Sequence, residues 1–224
     1  MRIAILGSGS RGNATLVEGG RTRLLVDAGL SARELERRLR LVGAPPESLT
    51  AIWITHEHRD HAGGAGVLAR RYDCPLFVTG AARRACPALF AGCRRVHVYR
   101  PARAVTVGDL TVEPCPTAHD AADPVALAIS DRRTGLRAGL ATDVGAPTAA
   151  VRHALRRCHA LVLEANHDEV LLRTSRYPPS VKARIAGPRG HLSNTGAARL
   201  AAELHHAELA LVVLAHLSEE CNDP

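Results

Sequence analysis

Aromatic side chains are almost missing from this chain: its 224 residues include two Phe, three Tyr and one Trp. A platform of stacked aromatics, a common grip on unpaired bases, is therefore not expected. Lysine is scarcer still. Lys182 stands alone, although Lys and Arg together number 29 and the net charge is +7. An arginine excess can steer phosphate-bearing substrates, but Arg in place of Lys throughout an alanine-rich chain also reads as a general composition bias. The six cysteines (Cys74, Cys86, Cys93, Cys115, Cys158 and Cys221) contain no Cys-x-x-Cys pair. That argues against a zinc ribbon or a dithiol redox motif, and for scattered thiols in a reducing compartment. Long apolar runs are absent as well. None approaches the roughly 20 residues that span a bilayer, and the run at Ile3–Leu6 is too short for a secretory signal. A cytoplasmic protein with no membrane partner is the expectation.

What is present is an alternation of short apolar runs with helical patterns, which indicates an α/β class. Arg2–Leu6, Ala14–Glu18 and Arg23–Asp27 read as strands, the last two joined at Gly19-Gly20. Ser31-Ala32-Arg33-Glu34 is a capping box. It opens a helix with Leu35, Leu39 and Val42 on one face, closed by Gly43 and Pro45. Gly64–Tyr72, Gly80–Phe90, Pro147–Arg157 and a segment capped by Ser193 and running to about His206 are further helices. Val105–Val112 and Ala126–Thr142 are hairpin signals, and Ala51–Ile54, Leu161–Leu163 and Leu209–Ala215 are buried strands. No repeat, linker or low-complexity tract breaks the pattern, so residues 1–224 read as one domain.

The densest chemistry lies in Thr55-His56-Glu57-His58-Arg59-Asp60-His61. His56, His58, Asp60 and His61 are all potential metal ligands, and imidazole with carboxylate suits zinc, manganese and iron alike. In extended chain His56 and His58 point the same way, whereas Asp60 and His61 diverge unless the chain turns. Two neighbouring metals account for this better than one, and better than a solvated histidine-rich loop. A zincin helix is excluded, because His56-Glu57 would need a histidine where Asp60 stands.

Other apolar runs end in similar groups. Asp27, Asp143, Glu164 and His216 each close a strand candidate, and His119 follows Pro114–Ala118. Read singly, His119 and His216 would be ordinary histidines, and Asp27 would cap the turn at Ala28-Gly29. Together they imply strand ends converging on one rim, where layered α/β proteins place their sites.

In this order, Asp27, His56-x-His58-x-Asp60-His61, His119, Asp143 and His216 resemble the metallo-β-lactamase superfamily of binuclear metallohydrolases. The resemblance implies a four-layer αββα sandwich holding two divalent cations, Zn2+ first, with Mn2+ or Fe2+ as alternatives. His56, His58 and His119 would hold one ion and Asp60, His61 and His216 the other, with Asp143 bridging. Asp27 would stand behind them, fixing the tautomer of a ligand imidazole. Gly7–Ala14, Glu164–Asp168, Gly190–Asn194 and His216–Glu220 further resemble one branch, the WalJ/YycJ-type hydrolases considered to be DNA exonucleases. Members of that branch usually continue with a helix and a strand beyond the point matching Pro224. The resemblance therefore implies a domain without those elements and a second metal incompletely backed behind His216.

The activity so implied is 5′-to-3′ digestion of DNA. Two ions about 3.5–4 Å apart make hydroxide available at neutral pH for in-line attack on phosphorus. Asp60 would orient the nucleophile and His191 would protonate the leaving oxygen. Ser193 and Asn194 stand at a helix start whose N–H groups favour phosphate. They are expected to contact substrate, as are Ser10 and Asn13 in the glycine-rich loop, and His167. Structural roles compete at each: capping for Ser193, a hydrogen-bonded core histidine for His167, a tight turn for the loop. Arg33, Arg37 and Arg40 share a helix face that would track a phosphate backbone or simply face solvent. Two other functions stay open. One is hydrolysis of a small cyclic phosphodiester or a thioester; the other is a non-catalytic, metal-stabilised binding protein.

Overall fold

In the computed structural model, which describes residues 1–223, the apolar runs form two six-stranded sheets. The first contains β1 (Arg2–Gly7), β2 (Ala14–Gly19), β3 (Thr22–Val26), β4 (Ala51–Trp53), β5 (Leu76–Thr79) and β6 (Val96–Tyr99), side by side in that order. The second contains β7 (Val105–Val107), β8 (Leu110–Pro116), β9 (Val125–Asp131), β10 (Arg137–Ala141), β11 (Ala160–Glu164) and β12 (Leu211–Ala215), also in chain order across the sheet.

Helices α1 (Ala32–Leu41), α2 (Arg59–Ala62), α3 (Ala65–Tyr72), α4 (Gly80–Ala85) and α5 (Pro87–Phe90) belong to the first half of the chain. Helices α6 (Ala149–Leu155), α7 (Glu169–Thr174), α8 (Pro179–Ala186) and α9 (Asn194–Leu204) belong to the second.

Successive strand residues face opposite sides, and in the central strands both sides are covered, whereas the edge strands β1, β6 and β12 expose Ile5, Val98, Leu211 and Leu214. Leu24, Val26 and Trp53 meet Leu110, Leu127, Leu140 and Val162 between the sheets. Leu25, Ile52 and Ile54 face outward and pack with Leu35, Leu39 and Leu68 of α1 and α3. On the other outer face, Leu161 and Leu163 pack with Leu155, Leu200 and Leu204 of α6 and α9. The layers are thus helix, sheet, sheet, helix, and central strands such as β3 and β4 read as apolar runs because neither face meets water. Three of the six aromatics go between the sheets: Trp53 stacks on Phe77 and Tyr99, with centroids 5.1 and 4.3 Å away.

Several element boundaries differ from expectation. The helix expected over Gly80–Phe90 is broken at Cys86 (φ −132°, ψ 63°), because Pro87 disfavours helical backbone in the residue before it. The helix expected from Pro147 starts at Ala149, where Thr148 Oγ1 accepts from the Val151 N–H at 3.2 Å. The strands β5 and β6 and the helices α7 and α8 were not anticipated. Strands β3 and β4 are parallel, as are β10, β11 and β12, which aligns their C-terminal ends and builds the rim of the site. Among the described residues no helix is long and apolar enough to cross a membrane.

Candidate active site

The chain turns where the histidine motif needs it to. His58 stands at the N-cap of α2, so Asp60 and His61 fall within one helical turn after it. The carboxylates and imidazole at the other strand ends turn more sharply: Asp27, Asp143 and His216 have left-handed backbone, with φ of 58°, 55° and 56°. Asp and His are among the residue types that tolerate this region. The loop after β3 lies directly on α2, and a Cβ at Gly29 would sit 1.6 Å from the Asp60 carbonyl oxygen.

Two triads result. His56, His58 and His119 form one, with His58 Nδ1 3.3 Å from His119 Nε2. Asp60, His61 and His216 form the other, with Asp60 Oδ2 3.6 Å from each imidazole Nε2. Asp143 lies between them. Its Oδ2 is 2.7 Å from His61 Nε2 and 3.9 Å from His56 Nε2. Its Oδ1 is 3.5 Å from His119 Nε2 and 3.6 Å from His216 Nε2. Tetrahedral zinc with bonds of about 2.0–2.1 Å implies ligand separations of about 3.3 Å, close to these spacings.

Four of the five imidazoles, all but His58, are pinned through the other nitrogen. His61 Nδ1 meets Asp27 Oδ2 at 2.7 Å, His119 Nδ1 meets the Gly190 carbonyl at 3.0 Å, and His216 Nδ1 meets Glu164 Oε1 at 3.1 Å. His56 Nδ1 is 3.1 Å from Thr55 Oγ1. The Nε2 atoms of His56 and His216 are buried without a hydrogen-bond partner. Unpaired buried polar atoms cost about 1–3 kcal/mol each, and both belong to the triads. The donor set fits a pair of divalent ions.

The electrostatics match. Burial holds His56 well below the ordinary histidine pKa, and burial likewise lowers His119. Burial also opposes charge on His61, but Asp143 and Asp27 raise it well above the ordinary value. At His216 the opposition of burial is outweighed by Asp143, Asp60 and Glu164, which push it up to about 10. Asp143, despite burial, is held well below the carboxylate range by His216 and His61.

The residues expected to act on substrate divide into two groups. His191 and Ser10 line a cleft of 270 Å³ above the triads. His191 Nδ1 lies 2.7 Å from Glu164 Oε1 and 3.3 Å from Asp143 Oδ1. Burial opposes its protonation, but Asp143 and Glu164 raise its pKa to about 9. Asn13, His167, Ser193 and Asn194 do not line this cleft. Asn13 is buried and braces the motif instead: its N–H donates to the Asp60 carbonyl at 2.7 Å, and its Nδ2 is 3.0 Å from His61 Nε2. His167 is buried in the interior. Ser193 caps α9 through the Gly196 N–H (3.1 Å) and donates to Glu169 (2.7 Å), while Asn194 pairs with Asn222 at 3.0 Å. The glycine-rich loop also braces the site, with Ser8 Oγ accepting from the His216 N–H at 2.6 Å.

Four further residues belong here. Glu164 is a hub: besides His191 and His216 it accepts from the Val144 and Leu192 N–H groups at 2.6 and 3.1 Å. Its place at the end of β11, level with the other strand-end ligands, was the available signal. Asn166 donates to the His216 carbonyl at 2.9 Å and lines the cleft with Tyr177 and Arg184. Those two lie in and just before α8, a helix with no buried residue, and so carried no periodic signal.

Comparison with known proteins extends the geometry. The family model of the metallo-beta-lactamase superfamily matches residues 7–150. The chain is 35% identical over 224 residues to the exodeoxyribonuclease YycJ of Bacillus anthracis, covering 99% of this chain and 84% of that one. It is 34% identical over 226 residues to the exodeoxyribonuclease WalJ of Streptococcus pneumoniae, covering 99% and 83%. Among solved structures, the metallo-beta-lactamase fold protein YhfI of Bacillus subtilis aligns with a TM-score of 0.75 at 20% identity, over 97% of this chain and 86% of that one.

Proposed function

Because this chain belongs to the metallo-β-lactamase superfamily and is a metal-dependent hydrolase, we propose that its substrate is DNA, shortened from the 5′ end by phosphodiester hydrolysis. What carries the reading from hydrolase to nuclease is the near-full-length identity to two proteins named exodeoxyribonucleases.

His56, His58 and His119 would hold one divalent ion, and Asp60, His61 and His216 the second, with Asp143 available to either. Such ions would supply a nucleophilic water at neutral pH and charge neutralisation at the phosphate. Asp60 orients the attacking water through a carboxylate oxygen. His191 gives its proton to the leaving oxygen, held in place by Glu164 at 2.7 Å. Ser10 and Asn166 border the same cleft and are placed to contact the terminal nucleotide.

The test is release of nucleotides from 5′-labelled and 3′-labelled DNA, single- and double-stranded, with manganese or zinc supplied. Asp60→Ala run alongside should lose activity together with about one metal per chain. Metal-loaded protein that cleaves no DNA from either end would overturn the reading.

A further inference from the structure

Two cavities share His119 in their walls. One is the cleft above the triads. The other, of 390 Å³, is bounded by Pro101, Pro116, Thr117, Pro124 and Arg189 as well as His119. Arg189 is exposed, and its Nε and Nη2 donate to the His119 carbonyl at 3.3 and 3.2 Å. Among the described residues it makes no ion pair, in contrast to Arg184 of the cleft, whose Nε lies 2.6 Å from Asp120 Oδ2. The one carboxylate of the second lining is Asp123, which is exposed and unpaired with Arg189. Thr117 Oγ1 is buried there without a hydrogen-bond partner.

These features describe a cation oriented by a neutral acceptor. A guanidinium has five N–H donors in a planar fork, and the carbonyl engages only part of the fork. Its charge is uncompensated and its free donors match phosphate oxygens. The rest of the lining, mainly proline and alanine, offers an apolar surface without side-chain bulk.

We propose that this second cavity binds the nucleotide adjacent to the one being removed, with Arg189 and Thr117 on its phosphodiester. A single strand is then gripped on both sides of His119. Contacts of this kind set the register of a strand without reading its bases. The inference rests on the phosphodiesterase reading above.

The experiment compares metal-loaded wild type, Arg189→Gln and Arg189→Lys on a dinucleotide and on a single strand of about eight nucleotides, at several salt concentrations. Gln keeps an N–H for the His119 carbonyl and removes the charge; Lys keeps the charge. The expected result is an approximately tenfold fall in the ratio of kcat/KM on the long strand to kcat/KM on the dinucleotide for Arg189→Gln, as for loss of a charge-assisted hydrogen bond. Arg189→Lys should recover much of that ratio. The salt dependence on the long strand should become shallower by about 0.7 in log–log slope for Arg189→Gln. An unchanged ratio, or equal losses on both substrates, would overturn the subsite and leave the nuclease reading standing. Wild type inactive on both nucleic acids, yet active on a thioester, would remove the nuclease reading and the subsite with it.

Discussion

Asp27 Oδ2 lies 2.7 Å from His61 Nδ1, so the carboxylate that ends β3 orients a ring carried by α2, 34 positions later in the chain. The same carboxylate accepts from the Thr55 N–H at 2.8 Å. Asp27→Asn keeps an acceptor for Thr55 but removes the charge facing His61. Metal affinity at one of the two sites should fall about 10–100-fold, read by chelator competition and metal analysis. Unchanged affinity at both would show that Asp27 serves only the turn.

Gly29 and Gly135 make a controlled pair. An alanine methyl at Gly29 would strike the Asp60 carbonyl oxygen, whereas at Gly135 (φ 75°) nothing lies within 4 Å. Gly135→Ala should cost about 1–2 kcal/mol from backbone strain alone. Gly29→Ala should cost clearly more and displace Asp60, lowering metal content as well as the unfolding midpoint. Denaturant melts with metal quantification separate the two, and equal costs would contradict the close approach.

In the proposed binuclear reading protons would compete with metal at His216, whose pKa is pushed up to about 10 against burial by Asp143, Asp60 and Glu164. Below that pH a metal must displace the ring proton. Affinity should therefore tighten as pH rises from about 6.5 to about 9, by up to tenfold per unit for each proton displaced. For the metal-free protein the sign reverses. A raised folded-state pKa adds stability below the ordinary histidine value and loses it as pH climbs towards 10. Calorimetric titrations in buffers of different ionisation enthalpy check the first statement, and metal-free melts of wild type against Glu164→Gln check the second.

The thiols divide by burial. Desolvation raises Cys74 to about 12 and Cys158 to about 11, and the thiolate is the reactive form. Brief alkylation of native protein at about pH 8 should modify the half-buried Cys86 and Cys93 and spare Cys74, Cys115, Cys158 and Cys221. Peptide mass mapping reads the pattern. Cys74 labelled as fast as Cys93 would contradict it.

The residues that gather at the candidate metal centre were legible because their chemistry and their chain order coincide, from Asp27 through His216. The α/β class was legible because two-sided burial leaves runs such as Leu24-Leu25-Val26 without a polar residue, and the four-layer sandwich followed from the resemblance carried by the ordered motif. Legibility failed where a residue's partner is distant. A serine at a helix start looks alike whether it faces a phosphate or Glu169, and Asn194 gave no hint of Asn222. Asn13 looked like part of a phosphate loop because nothing local ties it to Asp60. Glu164 was visible as a strand end, but its four partners come from three separate segments. β6 escaped because its four residues include His97, too short a run for its alternation to register.

The left-handed backbone at Asp27, Asp143 and His216 limits how this site can evolve. A centre that changes its metal preference usually does so by exchanging ligands, a carboxylate for a thiolate or a short carboxylate for a long one. At Asp143 and His216 such exchanges meet the backbone first, as does any change of the Asp27 carboxylate behind His61, since most residues other than Gly, Asn, Asp and His are strained at positive φ. New chemistry is more accessible at positions with ordinary backbone around them, such as Tyr177, Arg184 and Arg189, so the substrate is freer to drift than the metals.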